Sequence, residues 1–169
     1  MTARVVLVGA PGVGKSTVGR ALAAALAVGF LDIDDLIAAM SGESCASLLR
    51  DRGEAAFRAA EASALAEALA DGAAGVVATG GGAVETASSR ALLADATLVV
   101  HLTASPEVLL TRLGDGGDRP LLESPSLAGL RQLLDRRAGY YAEVADVVVD
   151  ASAPVDAVVA AILSFAVPA

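Results

Sequence analysis

Short apolar runs alternate along this chain with longer stretches in which apolar positions recur every three or four residues. Val5-Val6-Leu7-Val8 is apolar throughout and ends in glycine, the pattern of a strand buried on both faces. Phe30 to Ile33, Val76-Val77-Ala78, Thr97 to Leu102 and Val147 to Val149 predict four more strands. Helices are predicted over Ser16 to about Val28, Asp34 to Met40, Ser44 to Arg50, Glu54 to Leu69, Ser88 to Ala94, Pro106 to Leu113, Leu127 to Tyr141 and Pro154 to Phe165. Ser105 followed by Pro106 supplies a cap and a first-turn proline for one of them. Strands alternating with helices predict an α/β fold in three layers, a five-stranded parallel sheet covered on both faces. No linker, repeat or low-complexity stretch divides residues 1–169, so one domain is expected. Gly114-Asp115-Gly116-Gly117-Asp118 is too glycine-rich and charged for a core element and reads as a mobile loop.

Composition narrows the partners more than the fold. Apolar residues make up 55% of the 169 and aromatics only 3%, so the core must be built from Ala, Val and Leu. A net charge of −8 and the lack of any basic stripe exclude nucleic acid as the expected partner. An anionic ligand must instead be held by a few focused cations. Cys45, the single cysteine, cannot form an internal disulfide, which fits a reducing compartment. The start of the chain has no signal-peptide pattern. The longest apolar runs, Ala21 to Leu31 and Ala157 to Val167, fall short of a bilayer span, so a cytoplasmic protein without a membrane partner is expected.

Chemistry first appears after the first strand. Gly9-Ala10-Pro11-Gly12-Val13-Gly14-Lys15-Ser16 fits G-x-x-x-x-G-K-[ST] between a strand and a helix. Gly9, Gly12 and Gly14 let the backbone turn several N–H groups inward, and the helix N-terminus adds its positive end. Lys15 is placed to bridge the β- and γ-phosphates and Ser16 to ligate Mg²⁺. Of the 12 basic residues all but Lys15 are arginine, so the sole lysine stands where such a cradle needs it. No N-K-x-D-like segment is present to read guanine, and the short chain favours a small-molecule phosphotransferase over a mechanical ATPase.

Ligands of an open α/β sheet gather beyond the carboxyl ends of its strands. After the second strand, Asp32 and Asp34 alternate and on extended chain point the same way. One could bind Mg²⁺ through water while the other accepts a hydrogen bond from an attacking hydroxyl; Asp34 or Asp35 could equally cap the next helix. Thr79-Gly80-Gly81-Gly82 exposes consecutive backbone N–H groups after the third strand. Cations come from Arg58, flanked by Glu54 and Glu61 on its helix face, from Arg119, and from Arg136 and Arg137 ahead of Tyr140-Tyr141. Alone, Arg58 reads as part of a surface salt-bridge array. Together, guanidinium forks for a carboxylate and carboxylates for hydroxyls describe a site for a small hydroxylated acid.

These segments, in this order and spacing, resemble the shikimate kinase family over nearly the whole chain. The resemblance rests on the loop from Gly9, Asp32-Ile33-Asp34, Gly53-Glu54 through Phe57-Arg58 to Glu61, Gly80-Gly81-Gly82, Arg112 with Arg119-Pro120-Leu121-Leu122, and Arg137 with Tyr141. It implies the nucleoside-monophosphate-kinase-like P-loop fold, with a substrate-binding region at about 32–62 and a lid at about 114–125. It implies transfer of phosphate from ATP, with Mg²⁺, to the 3-hydroxyl of shikimate; nothing in the sequence demands more than a monomer. ATP would meet Gly12, Val13, Gly14, Lys15, Ser16, Thr17, Arg112 and Arg119, with Arg112 on the adenine and Arg119 closing in from the lid. Asp34, Arg58, Gly80, Gly81, Gly82 and Arg137 would hold shikimate, the two arginines on its carboxylate. Ser16, and Asp32 through water, would hold the metal; Lys15, Asp34 and Arg119 would be catalytic. Arg137 is preferred over Arg136 for its spacing to Tyr141. The loop from Asp150 to Pro154 is where the adenine would lie. A gluconate kinase, or a silent nucleotide-binding module, shares some of these features. His101, inside the fourth strand, and Cys45 read as packing residues, and Glu61 as a holder of Arg58 instead of a base.

Overall fold

A computed structural model describes residues 5–70, 75–96, 98–114 and 125–166 of the chain. Five strands, β1 (Val5–Gly9), β2 (Phe30–Asp32), β3 (Val76–Ala78), β4 (Leu98–Thr103) and β5 (Val147–Asp150), pair in the order β2-β3-β1-β4-β5. All four pairings are parallel; Val5 stands opposite Val76 on one side and Leu98 on the other. The helices are α1 (Lys15–Leu26), α2 (Ile33–Ser41), α3 (Cys45–Ala70), α4 (Ala87–Ala94), α5 (Pro106–Leu113), α6 (Leu127–Val144) and α7 (Val155–Ala166), with a 3₁₀ turn at Ala83–Glu85. Among the described residues no helix is long and apolar enough to cross a membrane.

The unrelieved apolar run of β1 follows from its central place, because successive side chains enter opposite cores. Val5 and Leu7 join Leu22, Val100, Leu102, Leu109, Leu130 and Ile162 on one face of the sheet. Val6 and Val8 join Ile33, Ile37, Phe57, Leu65, Leu93 and Tyr141 on the other. Parallel strands with helices on both faces leave one edge of the sheet, where the strands end, as the place for a site.

The elements depart from the sequence reading in ways that bear on that edge. Ile33 does not finish the second strand; it is the first residue of α2 and is fully buried. Asp32 and Asp34 therefore do not alternate on extended chain. The cap of α2 is Asp32, not Asp34 or Asp35: its carboxylate accepts from the Asp34 N–H at 3.0 Å. The two helices expected on either side of Gly53 form α3, broken by Gly53 at φ 83°, ψ 172°, which only glycine adopts readily. The 3₁₀ turn Ala83–Glu85, after the three glycines, has no counterpart among the elements expected from the sequence. The fourth strand begins at Leu98, and Thr97 lies outside the described residues.

Candidate active site

β1 ends at Gly9, where the chain must turn away beside β4. A Cβ on Gly9 would lie 2.5 Å from the Leu102 carbonyl oxygen, so the strand can leave the sheet here only as glycine. Gly12 and Gly14 take φ values of 81° and 102°, and Gly14 is the residue from which α1 starts, at Lys15 and not Ser16. The loop thus wraps the positive end of α1. Lys15 is buried, 8% exposed, and its Nζ donates to the Gly9 and Ala10 carbonyl oxygens at 2.8 and 3.0 Å. The Ser16 hydroxyl donates to Asp32 Oδ2. A hydroxyl and a carboxylate, both hard oxygen donors, meet at the mouth of the phosphate loop and fit Mg²⁺.

These groups line a cleft of about 590 Å³ that runs along the carboxyl edge of the sheet. Pro11, Gly12, Val13, Gly14, Lys15, Ser16 and Thr17 form one end, with Arg112 and the Ala151–Ala153 side of the loop after β5. Arg112 ties the two together, donating to the Val13 carbonyl at 3.0 Å and the Ala151 carbonyl at 2.7 Å. Asp32, Asp34, Arg58, Gly80, Gly81, Gly82, Arg136 and Arg137 line the rest of the cleft, with Gly81 packed beside Pro11. Every described residue expected at the site from the sequence thus lines one cavity. Arg119, with most of the lid expected at about 114–125, lies outside the described residues.

The three glycines are required by what presses on them. A Cβ would come within 2.3 Å of Glu61 Oε1 at Gly80, 2.7 Å of Pro11 at Gly81 and 2.4 Å of the Arg58 guanidinium at Gly82. Glu61 is 1% exposed; its Oε2 accepts from Arg58 Nη1 at 2.8 Å and its Oε1 is buried without a hydrogen bond. Burial pushes the Glu61 carboxyl up, with Arg58 pulling it down. Arg137 is 3% exposed and donates to the Gly81 carbonyl at 2.6 Å, whereas the side chain of Arg136 is 63% exposed. Of the two adjacent arginines, Arg137 faces inward, as its spacing to Tyr141 suggests. The Tyr141 hydroxyl donates to the same Gly81 carbonyl at 3.2 Å.

Glu85 was missed in the sequence. Its Oε1 accepts from Arg136 Nη2 and Arg137 Nε, both at 2.8 Å, and its Oε2 from Arg58 Nη2 at 3.3 Å. Burial raises the Glu85 carboxyl, but the three guanidiniums outweigh it and hold it below the ordinary value. The one signal available was a carboxylate three residues beyond Gly82. Cys45 packs on the second core as expected, but it also lines the cleft; burial, then Asp34 and Glu61, push its thiol up to about 12, so it stays protonated.

A parallel sheet ordered 2-3-1-4-5 with a phosphate loop after its central strand, and an arginine-rich pocket beside it, defines a P-loop phosphotransferase of the small-metabolite kinase class. A sequence model of the shikimate kinase family matches residues 11–166, and the chain belongs to that family. It is 48% identical over 151 residues to the shikimate kinase of Salinispora tropica, covering 88% of this chain and 89% of the relative. It is 49% identical over 146 residues to that of Frankia casuarinae, covering 86% of this chain and 64% of the longer relative. A shikimate kinase from Acinetobacter baumannii, solved in complex with shikimate, superposes with a TM-score of 0.92 at 35% identity, covering 98% and 93% of the two chains. A gluconokinase from Sinorhizobium meliloti reaches 0.60 at 22% identity and shares the fold alone.

Proposed function

We propose that this chain transfers the γ-phosphate of ATP to the 3-hydroxyl of shikimate, releasing shikimate 3-phosphate and ADP, a step toward the aromatic amino acids. The observation that carries the reading is one continuous cleft lined by both the phosphate loop and the inward-facing Arg58 and Arg137. We place the enzyme in the cytoplasm as a monomer. The single cysteine supports the cytoplasm.

The residues divide the work by position. The N–H groups of Gly12 to Thr17 and the ammonium of Lys15 take the phosphates, Lys15 exchanging the Gly9 and Ala10 carbonyls for phosphate oxygens. Ser16 directly, and Asp32 through water, hold Mg²⁺, which when bound neutralises charge on the phosphate oxygens. Asp34 orients the 3-hydroxyl and takes its proton late, beside the N–H groups of Gly80 to Gly82. Arg58 and Arg137 receive the carboxylate as charge-assisted pairs. Arg112, fixed between the P-loop and Ala151, lies against the adenine, and Arg119 closes from the lid over the transferred group.

The test is ADP release with ATP and Mg²⁺ in the presence of shikimate, gluconate or no acceptor. Release that depends on shikimate is expected; equal release with gluconate overturns the acceptor. In the same assay Asp34→Asn is expected to lower turnover by about 10²–10⁴-fold, the range of a lost general base. Turnover near that of the unaltered enzyme would remove Asp34 from the chemistry.

A further inference from the structure

Nothing in the family resemblance gives Glu85 a role, yet its carboxylate touches more of the arginine cluster than any other described group. Its two oxygens accept from Arg58 on α3 and from Arg136 and Arg137 on α6, residues separated from it by 27, 51 and 52 positions. Each inner arginine is thereby held at two points. Arg58 gives Nη1 to Glu61 and Nη2 to Glu85; Arg137 gives Nη1 to the Gly81 carbonyl and Nε to Glu85. Two guanidiniums that converge without a carboxylate between them repel, and in a shielded cleft the repulsion splays them.

Glu85 is itself held fast, which separates a positioning group from a mobile stand-in for the ligand. Arg90 Nη1 donates to the backbone carbonyls of Val84 and Glu85 at 2.8 and 3.2 Å. The same guanidinium lies 4.3 Å over the Tyr140 ring and pairs with Glu143 at 2.9 Å. Tyr140 and Glu143 are on α6, the helix that carries Arg136 and Arg137. The 3₁₀ turn bearing Glu85 is thus clamped to the helix whose arginines it orients.

We propose that Glu85 is a positioning residue for the acid substrate, holding the Arg58 and Arg137 guanidiniums convergent on the cleft so that they receive the acceptor's carboxylate. The inference rests on the assignment of those two arginines to the carboxylate. It predicts that Glu85 matters in proportion to the charge on that one group and to nothing else in the reaction.

The experiment compares the unaltered enzyme, Glu85→Gln and Arg137→Ala on shikimate and on its methyl ester, which keeps the hydroxyls and lacks the charge. Glu85→Gln is expected to raise KM for shikimate about tenfold, the worth of one charge-assisted contact. Turnover number and KM for ATP should stay within about twofold, and the ester should lose little. An equal penalty on acid and ester marks a merely structural role and overturns the proposal. So does a fall in the KM for shikimate, which would make Glu85 an internal competitor, and so does no change. Calorimetric affinity for shikimate gives the same answer should a variant turn over too slowly. If Arg137→Ala penalises acid and ester alike, the arginine assignment falls and this inference with it. If Arg137→Ala is selective for the acid and Glu85→Gln is indifferent, only the inference falls.

Discussion

His101, the single histidine of the chain, lies in β4 with its ring stacked on Tyr141, centroids 4.2 Å apart and planes at 16°. Burial, with the nearby Lys15 charge, lowers its pKa from 6.5 to about 4. The folded state therefore binds a proton less readily than the unfolded chain. The stability of this neutral stack is fully present above about 6.5 and is drawn off as pH falls toward 4, because the unfolded state gains the proton first. The melting temperature is expected to fall between pH 7 and pH 5, and the fall to be shallower in His101→Gln. Parallel slopes for the two proteins would show that other groups govern the acid limb. The consequence reaches the site, because the stacked Tyr141 gives its hydroxyl to the Gly81 carbonyl.

At the scale of elements, α1 ends on a residue poorly suited to its place. Ala27 is the C-cap, in the left-handed region at φ 53°, ψ 43°, with its N–H on the Ala23 and Ala24 carbonyls. It is exposed, so its methyl packs on nothing that a glycine would forfeit. A left-handed alanine costs about 1–2 kcal/mol, and glycine returns about 0.5–1 kcal/mol of that through a freer unfolded chain. Ala27→Gly is expected to stabilise the protein by about 0.5–1 kcal/mol, a rise of roughly 1–4 °C in melting temperature. A lower melting temperature would mean that the end of α1 is set by something other than this cap. That α1 exists was legible from its apolar spacing and from the glycines before it; that it ends on a strained alanine was not, since nothing in the local pattern asks for one. β1 and β3 were legible for the reason they are buried, a lack of polar relief. The boundary at Ile33 was not, because a buried isoleucine after a strand suits either the strand or the first turn of a helix. That Asp34, Arg58 and the three glycines would line one cavity came from the family resemblance, while the alternation of Asp32 and Asp34 on extended chain did not hold. Glu85 was not legible, because its meaning comes from α3 and α6, tens of residues away, and from a 3₁₀ turn too short to leave a period.

The molecule as a whole carries a formal charge of −8, yet it must gather two anions into one cleft. It does so by local concentration. Lys15, Arg58, Arg112, Arg136 and Arg137 line that cavity with Asp32, Asp34, Glu54, Glu61 and Glu85, so the lining is balanced in charge where the molecule as a whole is acidic. The lining comes from the loop after β1, from α1, β2, α2 and α3, from the turns after β3 and β5, and from α5, α6 and α7, so ligands in the cleft bridge almost every element of the fold. Binding should therefore report on global stability and not on a local loop. With ADP and Mg²⁺ at about 100 times the dissociation constant, linkage gives about 2.7 kcal/mol, a rise of roughly 5–10 °C for a chain of this size. Adding shikimate to that complex is expected to raise the melting temperature again, and adding gluconate to leave it where it was. A second shift with shikimate means that the acid binds the same folded state as the nucleotide. No second shift, with the first intact, would leave a nucleotide site standing and require the arginine-lined part of the cavity to be reassigned.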